Sequence, residues 1–252
     1  MIKQDLHTHS VFSDGNNTIE EIVKSAIALN LDTIGISDHS YTEFDTSYCI
    51  KKDMIPDYLS EINSLKNKYK GIIDVKCGIE QDYYSTFDTS DFDYIIGSVH
   101  YIKVNEEYIP VDESAEILLS AVSNHFNGDI YSLVELYFET VSDVVNKTNA
   151  DIIGHFDLIT KFNENNKLFD EYNERYICAY KKAADTLLKT GKVFEINTGA
   201  ISRGYRTSPY PSSDIYRYLK NKGAKFILSS DSHSVDSLCF RFNEYDELIN
   251  WL

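Results

Sequence analysis

The chain has 252 residues, of which 42% are hydrophobic and 25% charged, the profile of a soluble globular protein. Its 40 acidic side chains outnumber the 24 basic ones, so the formal net charge is −16. A field of this sign repels a phosphate backbone, which argues against a long nucleic acid as partner and, at first sight, against any phosphorylated substrate. The length permits two small domains or one (β/α) barrel; because no Gly/Ser-rich or Pro-rich linker occurs, we predict a single domain over residues 1–252.

The start of the chain and its cysteines favour the cytoplasm. The first residues contain no basic region followed by a long apolar run, so no signal peptide is predicted. No stretch approaches about 18 uninterrupted apolar residues, so we expect neither a transmembrane helix nor a membrane partner. Cys49, Cys77, Cys178 and Cys239 are far apart and form no CxxC pair, which favours buried free thiols over disulfides. The sequence does not indicate an oligomeric state.

The predicted elements alternate between strand and helix. Strands are predicted at residues 2–7, 33–37, 72–78, 94–99, 152–154, 193–196 and 226–228. Helices are predicted from a capping box at Thr18 and Glu21 onwards and at residues 56–69, 113–126, 131–148, 171–190, 212–222 and 243–251. Apolar strands separated by helices imply parallel pairing with right-handed crossovers. We therefore predict an α/β chain folded as a seven-stranded TIM-like barrel, with an open doubly wound sheet as the alternative.

Most of the histidines fall where these strands end. Six of the seven follow this rule: His7, His9, His39, His100, His155 and His233. Glu80 follows the third strand in the same way, whereas His125 lies elsewhere and is expected at the surface. The C-terminal ends of parallel barrel strands share one mouth, which is where such barrels carry their chemistry. We therefore expect these side chains to converge.

A cluster of this kind favours a metal site. Buried imidazoles without a metal would repel one another when protonated and would leave polar atoms unpaired. In His7-Thr8-His9 the two rings lie on the same side of an extended segment, and Asp231-Ser232-His233 repeats this spacing with a carboxylate. A nitrogen and oxygen donor set without thiolate suits Zn, Mn or Fe better than Ca.

The same residues carry a family resemblance. The chain resembles the PHP (polymerase and histidinol phosphatase) phosphoesterases through an ordered set of motifs between residues 5 and 233. They are Asp5-Leu6-His7-Thr8-His9, Ser13-Asp14-Gly15, Ser37-Asp38-His39, Gly78-Ile79-Glu80, Gly97-Ser98-Val99-His100, Gly154-His155-Phe156-Asp157 and Ser230-Asp231-Ser232-His233. The resemblance implies a distorted (β/α)7 barrel with up to three divalent metal ions at the C-terminal ends of its strands.

The resemblance also implies which residues hold each ion. The first set is His7, His9, Glu80 and Asp231; the second is Glu80, His100 and His155; the third is Asp14, His39 and His233. Asp5, Asp38 and Asp157 are expected to orient the imidazoles, and Glu195 to support the site from the barrel interior. Tyr41 and Tyr101 are candidate pocket residues.

Within the family, the chain is most similar to the stand-alone histidinol-phosphate phosphatases, since no other module is attached. This implies hydrolysis of L-histidinol phosphate to L-histidinol and phosphate, a step of histidine biosynthesis, by a hydroxide shared between two metals. Asp231, His233 and His39 are the predicted proton-transfer residues. Arg203 and Arg206, which follow the sixth strand, and Lys161 are predicted to bind phosphate.

Two alternatives stay open. The same site could act on another small phosphorylated substrate, such as a nucleotide, an oligonucleotide or a phosphotyrosine, although the net charge disfavours the basic groove that an oligonucleotide needs. The chain could instead be a metal-binding regulatory module without catalysis. Three divalent ions would place positive charge where a phosphate binds, so the acidic composition does not exclude a small phosphomonoester.

Overall fold

Parallel strands form the centre of the fold. The structure, a computed structural model, describes residues 3–249, so residue 2 of the first predicted strand and residues 250–251 of the last predicted helix lie outside the described residues. The strands are β1 (Gln4–Asp5), β2 (Thr33–Ile36), β3 (Asp74–Asp82), β4 (Tyr94–Ser98), β5 (Tyr101–Val104), β6 (Glu107–Pro110), β7 (Ile152–Ile153), β8 (Val193–Asn197) and β9 (Lys225–Ser229). Within residues 3–249, seven of them form one parallel sheet in the order β1-β2-β3-β4-β7-β8-β9.

The two edges of this sheet meet and make it a barrel. Beyond the ends of β1 and β9, Thr8 and Ser232 form a parallel bridge. The amide of His9 donates to the Ser232 carbonyl at 2.8 Å, and the amide of Ser232 donates to the His7 carbonyl at 3.2 Å. The predicted (β/α)7 barrel is therefore confirmed, and two of its histidines lie in the segment that closes it.

Helices surround the barrel. Within the described range they are α1 (Ile19–Ala28), α2 (Ile55–Lys68), α3 (Ala115–His125), α4 (Ile130–Ser142), α5 (Val144–Thr148), α6 (Glu174–Leu188), α7 (Gly199–Ser202), α8 (Ser213–Asn221) and α9 (Phe242–Tyr245). The predicted capping box is confirmed, because the Thr18 hydroxyl accepts from the Glu21 amide while the Glu21 carboxylate accepts from the Thr18 amide. None of the helices in this part of the chain is long and apolar enough to cross a membrane.

Several elements differ from the prediction. The helix predicted at 131–148 is split at Asp143 into two helices. The Asp143 carboxylate accepts a hydrogen bond from the Tyr83 hydroxyl at this break. The last helix is shorter than residues 243–251, because α9 ends at Tyr245 and a 3₁₀ turn follows. The antiparallel hairpin of β5 and β6 was not predicted; its turn places Asn105 in the left-handed region.

Strand β3 also runs further than the predicted 72–78. It continues to Asp82 because its C-terminal half pairs with β4, from Gly78 opposite Tyr94 to Asp82 opposite Ser98. Glu80 therefore lies inside a strand that is hydrogen-bonded to a neighbour, rather than just after its end. Backbone pairing with β4 therefore helps to fix its position.

The barrel interior below the mouth is a small apolar core. Tyr94, Ile96 and Ile152 are buried there with Leu6 and Ile227 against them. The Tyr94 hydroxyl donates to the Leu6 carbonyl at 2.5 Å, which pairs the polar end of this ring. A Cβ on Gly35 or Gly78 would lie about 2 Å from the Tyr94 side chain, so glycine at both positions makes room for it. The larger core lies between the barrel and the helices.

The four cysteines, all within the described range, are free thiols, as predicted. Cys49 and Cys77 are buried, whereas Cys239 is half-buried and Cys178 is exposed. The expectation of burial is therefore wrong for Cys178, which lies on the outer face of α6.

Candidate metal centre

The nine predicted metal ligands converge on the barrel mouth. They are His7, His9, Asp14, His39, Glu80, His100, His155, Asp231 and His233. Glu80 lies at the centre of the group, and its two carboxylate oxygens contact five imidazole rings at 2.8–3.6 Å. The carboxylate is buried and offers one oxygen to each side of the cluster.

The first predicted ligand set comes together on one side of Glu80. The Oε2 atom of Glu80 lies 3.2 Å from Nε2 of His7 and 3.6 Å from Nε2 of His9. Asp231 Oδ1 completes the group at 3.3 Å from His9 Nε2 and 3.9 Å from His7 Nε2. These four atoms could surround one ion.

The second set lies at the other carboxylate oxygen. Glu80 Oε1 is 2.9 Å from Nε2 of His155 and 3.4 Å from Nε2 of His100. Because the two sets use different oxygens of Glu80, the geometry suits a carboxylate shared between two ions.

The third set lies closest to solvent. Asp14 Oδ2 lies 3.2 Å from Nε2 of His233, and Asp14 Oδ1 lies 3.7 Å from Nε2 of His39. The His9 ring lies between these two imidazoles, stacked on each at 4.3 Å between centroids. The Nδ1 atom of His9 faces Asp14 at 3.9 Å, so His9 borders both the first and the third sets.

The residues fit divalent metal ions on two grounds. Bonds of about 2.1 Å at tetrahedral or octahedral angles place neighbouring donor atoms about 3.0–3.4 Å apart, close to the separations within each set. In addition, Nε2 of His7 and both ring nitrogens of His9 are buried, and no hydrogen bond reaches them from any residue in the range 3–249. Buried polar atoms are rarely left in this state unless a ligand or ion satisfies them.

The electrostatics favour ionised carboxylates at Glu80 and Asp231 and a neutral imidazole at His9. Although burial alone would raise it, the pKa of Glu80 is held well below its usual value by the surrounding histidines, His7 first. Burial likewise opposes ionisation of Asp231, but Arg203 and His7 hold the pKa of this carboxyl well below its usual value. Burial, reinforced by His233 and His39, lowers the pKa of His9 to about 3. These three protonation states suit metal coordination. At His7, His39 and His100 burial opposes the charged form, but nearby carboxylates raise the pKa, so a metal that binds these rings must displace a proton.

A layer of hydrogen bonds orients the donors. Glu195 Oε1 lies 2.5 Å from Nδ1 of His7, and Glu195 Oε2 accepts from the His155 amide at 2.9 Å, so the expected support from Glu195 is present. The Ser98 hydroxyl donates to Glu80 Oε1 at 2.6 Å. Asp82, which sequence reasoning missed, lies 3.4 Å from Nδ1 of His100. Its signal was the spacing of two from Glu80, which places both side chains on one face of β3.

The expectation for the other three acidic residues is wrong. Asp5, Asp38 and Asp157 hold the loops of the mouth rather than the imidazole rings. Asp5 accepts from the amides of Ser230 and Cys239, and Asp38 from the amide and hydroxyl of Ser10, all at 2.7–3.1 Å. Buried loop amides need acceptors, and these carboxylates supply them.

The loop that carries Asp231 is held in an unusual backbone conformation. Asp231 has φ +48°, in the left-handed region, and such strain often accompanies functional positions. Arg203 secures it: Nη1 donates to the Asp231 carbonyl at 2.8 Å and Nη2 to Asp231 Oδ2 at 2.9 Å. A Cβ on Gly199 would lie 2.7 Å from Asp231 Oδ2, so this close approach requires glycine.

A cavity of about 340 Å³ opens above the cluster, within the usual size range of small-ligand sites. Of the predicted phosphate-binding residues, Arg203 and Lys161 line it. Lys161 Nζ donates to the Asp112 carbonyl at 2.7 Å. Tyr101, a predicted pocket residue, also lines it, whereas Tyr41 is not among the lining residues.

Arg206 is placed elsewhere, so its position does not support phosphate contact at this cavity. Its buried guanidinium lies against the hydroxyls of Thr160 and Ser208 and 4.8 Å from the Tyr210 ring centroid. The loop after β8 returns to the end of that strand, where Tyr210 pairs with Asn197. Arg203 lines the cavity, whereas the Arg206 guanidinium is bound to side chains of the surrounding loops.

Comparison with known proteins agrees with this architecture. The model of the PHP domain matches residues 5–199. A relative from Deinococcus radiodurans, named a probable histidinol-phosphatase, is 26% identical over 256 residues, which cover 94% of this chain and 89% of that protein.

Two solved structures share the fold. A Listeria monocytogenes structure with the provisional name histidinol phosphatase has a TM-score of 0.84 at 22% identity, covering 96% of this chain and all of that one. The histidinol phosphate phosphatase of Lactococcus lactis, solved with Zn, L-histidinol and phosphate, has a TM-score of 0.69 at 23% identity and covers 98% of this chain and 92% of that one. With a family match over most of its length and the ordered donors at the barrel mouth, this chain belongs to the PHP domain family.

Proposed function

We propose that this chain is a metal-dependent phosphomonoesterase that hydrolyses L-histidinol phosphate to L-histidinol and phosphate, as a single cytoplasmic domain over residues 1–252. One observation carries the proposal: seven of the nine clustered nitrogen and oxygen donor residues line a cavity that Arg203 and Lys161 also line. The names of relatives that match over nearly the full length of the chain support this substrate.

Three donor sets are proposed to hold three divalent ions, of Zn, Mn or Fe. Glu80 is shared by the first two sets; His7, His9 and Asp231 complete one, His100 and His155 the other, and Asp14, His39 and His233 form the third. Divalent ions bound there supply Lewis acidity and positive charge for a phosphoryl group.

The side chains around these sets have separate tasks. Asp231 stays ionised at the cavity and can accept the proton of the attacking water at its carboxylate. His39 and His233 line the same cavity, and either can protonate the departing alkoxide from Nε2 where that atom is not engaged by a metal. Cysteine and serine nucleophiles have no role in the proposal.

Arg203 and Lys161 position the phosphate. Arg203 uses part of its donor capacity on Asp231, and its side chain remains 30% exposed to the cavity. Lys161, held by Asp112 and over the Tyr205 ring at 4.8 Å, adds a second positive charge. Cationic donors of this kind form strong charge-assisted bonds to phosphate oxygens.

The test compares substrates under one set of conditions. Phosphate release is measured for the Zn- or Mn-loaded protein with L-histidinol phosphate, adenosine monophosphate and phosphotyrosine. We expect L-histidinol phosphate to be preferred by at least about tenfold in kcat/KM, which corresponds to a difference of about 1.4 kcal/mol in activation free energy. A smaller preference contradicts this substrate, and inactivity of the loaded protein on the whole panel supports a binding module instead.

A further inference from the structure

The cavity above the metal centre is lined by two chemically different groups of side chains. One group comprises the donor cluster, Arg203 and Lys161, where the phosphate is expected. The other is acidic and aromatic: Asp45, Tyr48, Tyr101, Asp112 and Glu113. The two groups meet where Asp112 holds Lys161. The cavity therefore offers positive charge to a phosphate and negative charge to a cationic organic group.

Two of these three acidic side chains are already engaged. Asp45 Oδ1 accepts from the amide and hydroxyl of Ser47 at 3.0 and 2.6 Å, and Asp45 Oδ2 accepts from the Tyr101 hydroxyl at 2.7 Å. Asp112 Oδ2 lies 3.2 Å from Nζ of Lys161. Both carboxylates serve the wall of the cavity, so neither has its full acceptor capacity left for a ligand.

Glu113 differs from them. It immediately precedes Ser114, the N-cap residue of α3, and its side chain is exposed at the cavity rim. Among residues 3–249, no hydrogen bond or ion pair engages its carboxylate. Both of its oxygens are therefore available to a charged group in the cavity.

Two aromatic side chains line the same cavity beside the metal centre. The Tyr48 ring lies edge-to-face with His39 at 4.9 Å between centroids and 6.2 Å from the Tyr101 ring. The Tyr48 hydroxyl donates to the Thr42 hydroxyl at 3.2 Å. Ring faces of this kind attract flat or cationic organic groups.

We infer that Glu113 is a specificity-determining residue, whose free carboxylate pairs with a cationic nitrogen on the organic group of the substrate. The inference rests on the proposed function, since L-histidinol phosphate carries both an ammonium and an imidazole group. Neutral phosphomonoesters gain nothing from Glu113, because they offer it no charge.

The principal test is Glu113→Gln, which removes the charge and keeps the shape. For L-histidinol phosphate we expect KM to rise about two- to fivefold with kcat nearly unchanged, as for loss of one exposed ion pair. For p-nitrophenyl phosphate, which has a neutral organic group, both constants should stay the same. Glu116→Gln is the matched control, because Glu116 is exposed in the first turn of α3 and outside the cavity.

A substrate analogue identifies the cationic partner. With an analogue of L-histidinol phosphate that lacks the amino group, Glu113→Gln should have no effect if the ammonium is the partner, and should keep its effect if the imidazolium is. Glu113→Lys should raise KM for L-histidinol phosphate further than Glu113→Gln does. The inference is overturned if Glu113→Gln leaves KM for L-histidinol phosphate unchanged, or raises KM equally for p-nitrophenyl phosphate.

The wild-type protein separates failure of this inference from failure of the proposed function. If the wild type prefers L-histidinol phosphate and Glu113→Gln has the same preference, only the role of Glu113 is wrong. If the wild type hydrolyses p-nitrophenyl phosphate with the same kcat/KM as L-histidinol phosphate, the proposed substrate is wrong. In that case the enzyme has no preference for a cationic substrate, so no such preference can be assigned to Glu113.

Discussion

The two ends of the barrel differ in whether their buried polar atoms have hydrogen-bond partners. At the floor, the Tyr94 hydroxyl is paired with the Leu6 carbonyl, and the remaining side chains are apolar. At the mouth, ring nitrogens of His7 and His9 are buried without hydrogen bonds from the described residues. The same strands thus carry a self-sufficient core at one end and, at the other, a polar cluster that needs a ligand to complete it.

This contrast separates stability from function along each strand. In β3, Gly78 makes room for the Tyr94 ring, while Glu80, two residues further on, joins five imidazoles. In β4, Ile96 lies in the floor core and Ser98, two residues further on, donates to Glu80. Substitutions at the floor should therefore affect folding, and those at the mouth should affect metal binding and turnover.

Metal removal is the strongest test of this contrast. Exhaustive chelation should abolish phosphate release, because the donor sets at the mouth would lose the ions that complete them, and added Zn or Mn should restore it. The far-UV circular dichroism should change little, since the floor core contains no metal donor. Full activity with no metal detectable by mass spectrometry would contradict the proposed site.

Asp231→Asn should have the next largest effect. The amide cannot supply the charge that Asp231 offers to His7 and His9, so kcat/KM should fall by more than about 10²-fold, beyond the loss typical of residues that only orient a ligand. Metal content per chain should fall with it. Asp236→Asn, an exposed position on the following turn, is the control and should match the wild type in both measurements.

Glu195→Gln tests the layer between mouth and floor. Loss of the charged partner of His7 Nδ1 should weaken metal affinity or kcat/KM by about 10- to 100-fold, the range for residues that orient metal ligands. Excess metal should recover part of the activity. Glu174→Gln, at an exposed position in α6, is the control and should change neither metal affinity nor kcat/KM. If Glu195→Gln also leaves both unchanged, His7 needs no charged partner.

Tyr94→Phe should have the smallest effect on turnover. It leaves the Leu6 carbonyl without its donor, which should lower the free energy of unfolding by about 1–3 kcal/mol in urea denaturation. The phenyl ring still fills the space beside Gly35 and Gly78, so kcat/KM per folded, metal-loaded chain should match the wild type. A large loss of turnover at unchanged stability would break the separation between the two ends.

Much of the site could be predicted because the relevant patterns are local. A buried strand followed by His or Glu marks the mouth of a parallel barrel, and the ordered motifs identify the family. The roles of Asp5, Asp38 and Arg206 could not be predicted in this way. Each contacts a segment distant in sequence or on the far side of a loop, and a carboxylate near a histidine in sequence can equally accept from a backbone amide.

The sequence alone determined the alternation of strands and helices, the donor residues and the family, because periodicity and ordered motifs are properties of the chain itself. Tertiary structure decided which atoms meet: that Glu80 divides its two oxygens between imidazoles, that Glu195 reaches His7 across the barrel, and that Arg203 and not Arg206 lines the cavity. It also left Glu113 free while Asp45 and Asp112 were engaged. These outcomes depend on barrel closure and loop packing, which bring together residues that no local pattern connects.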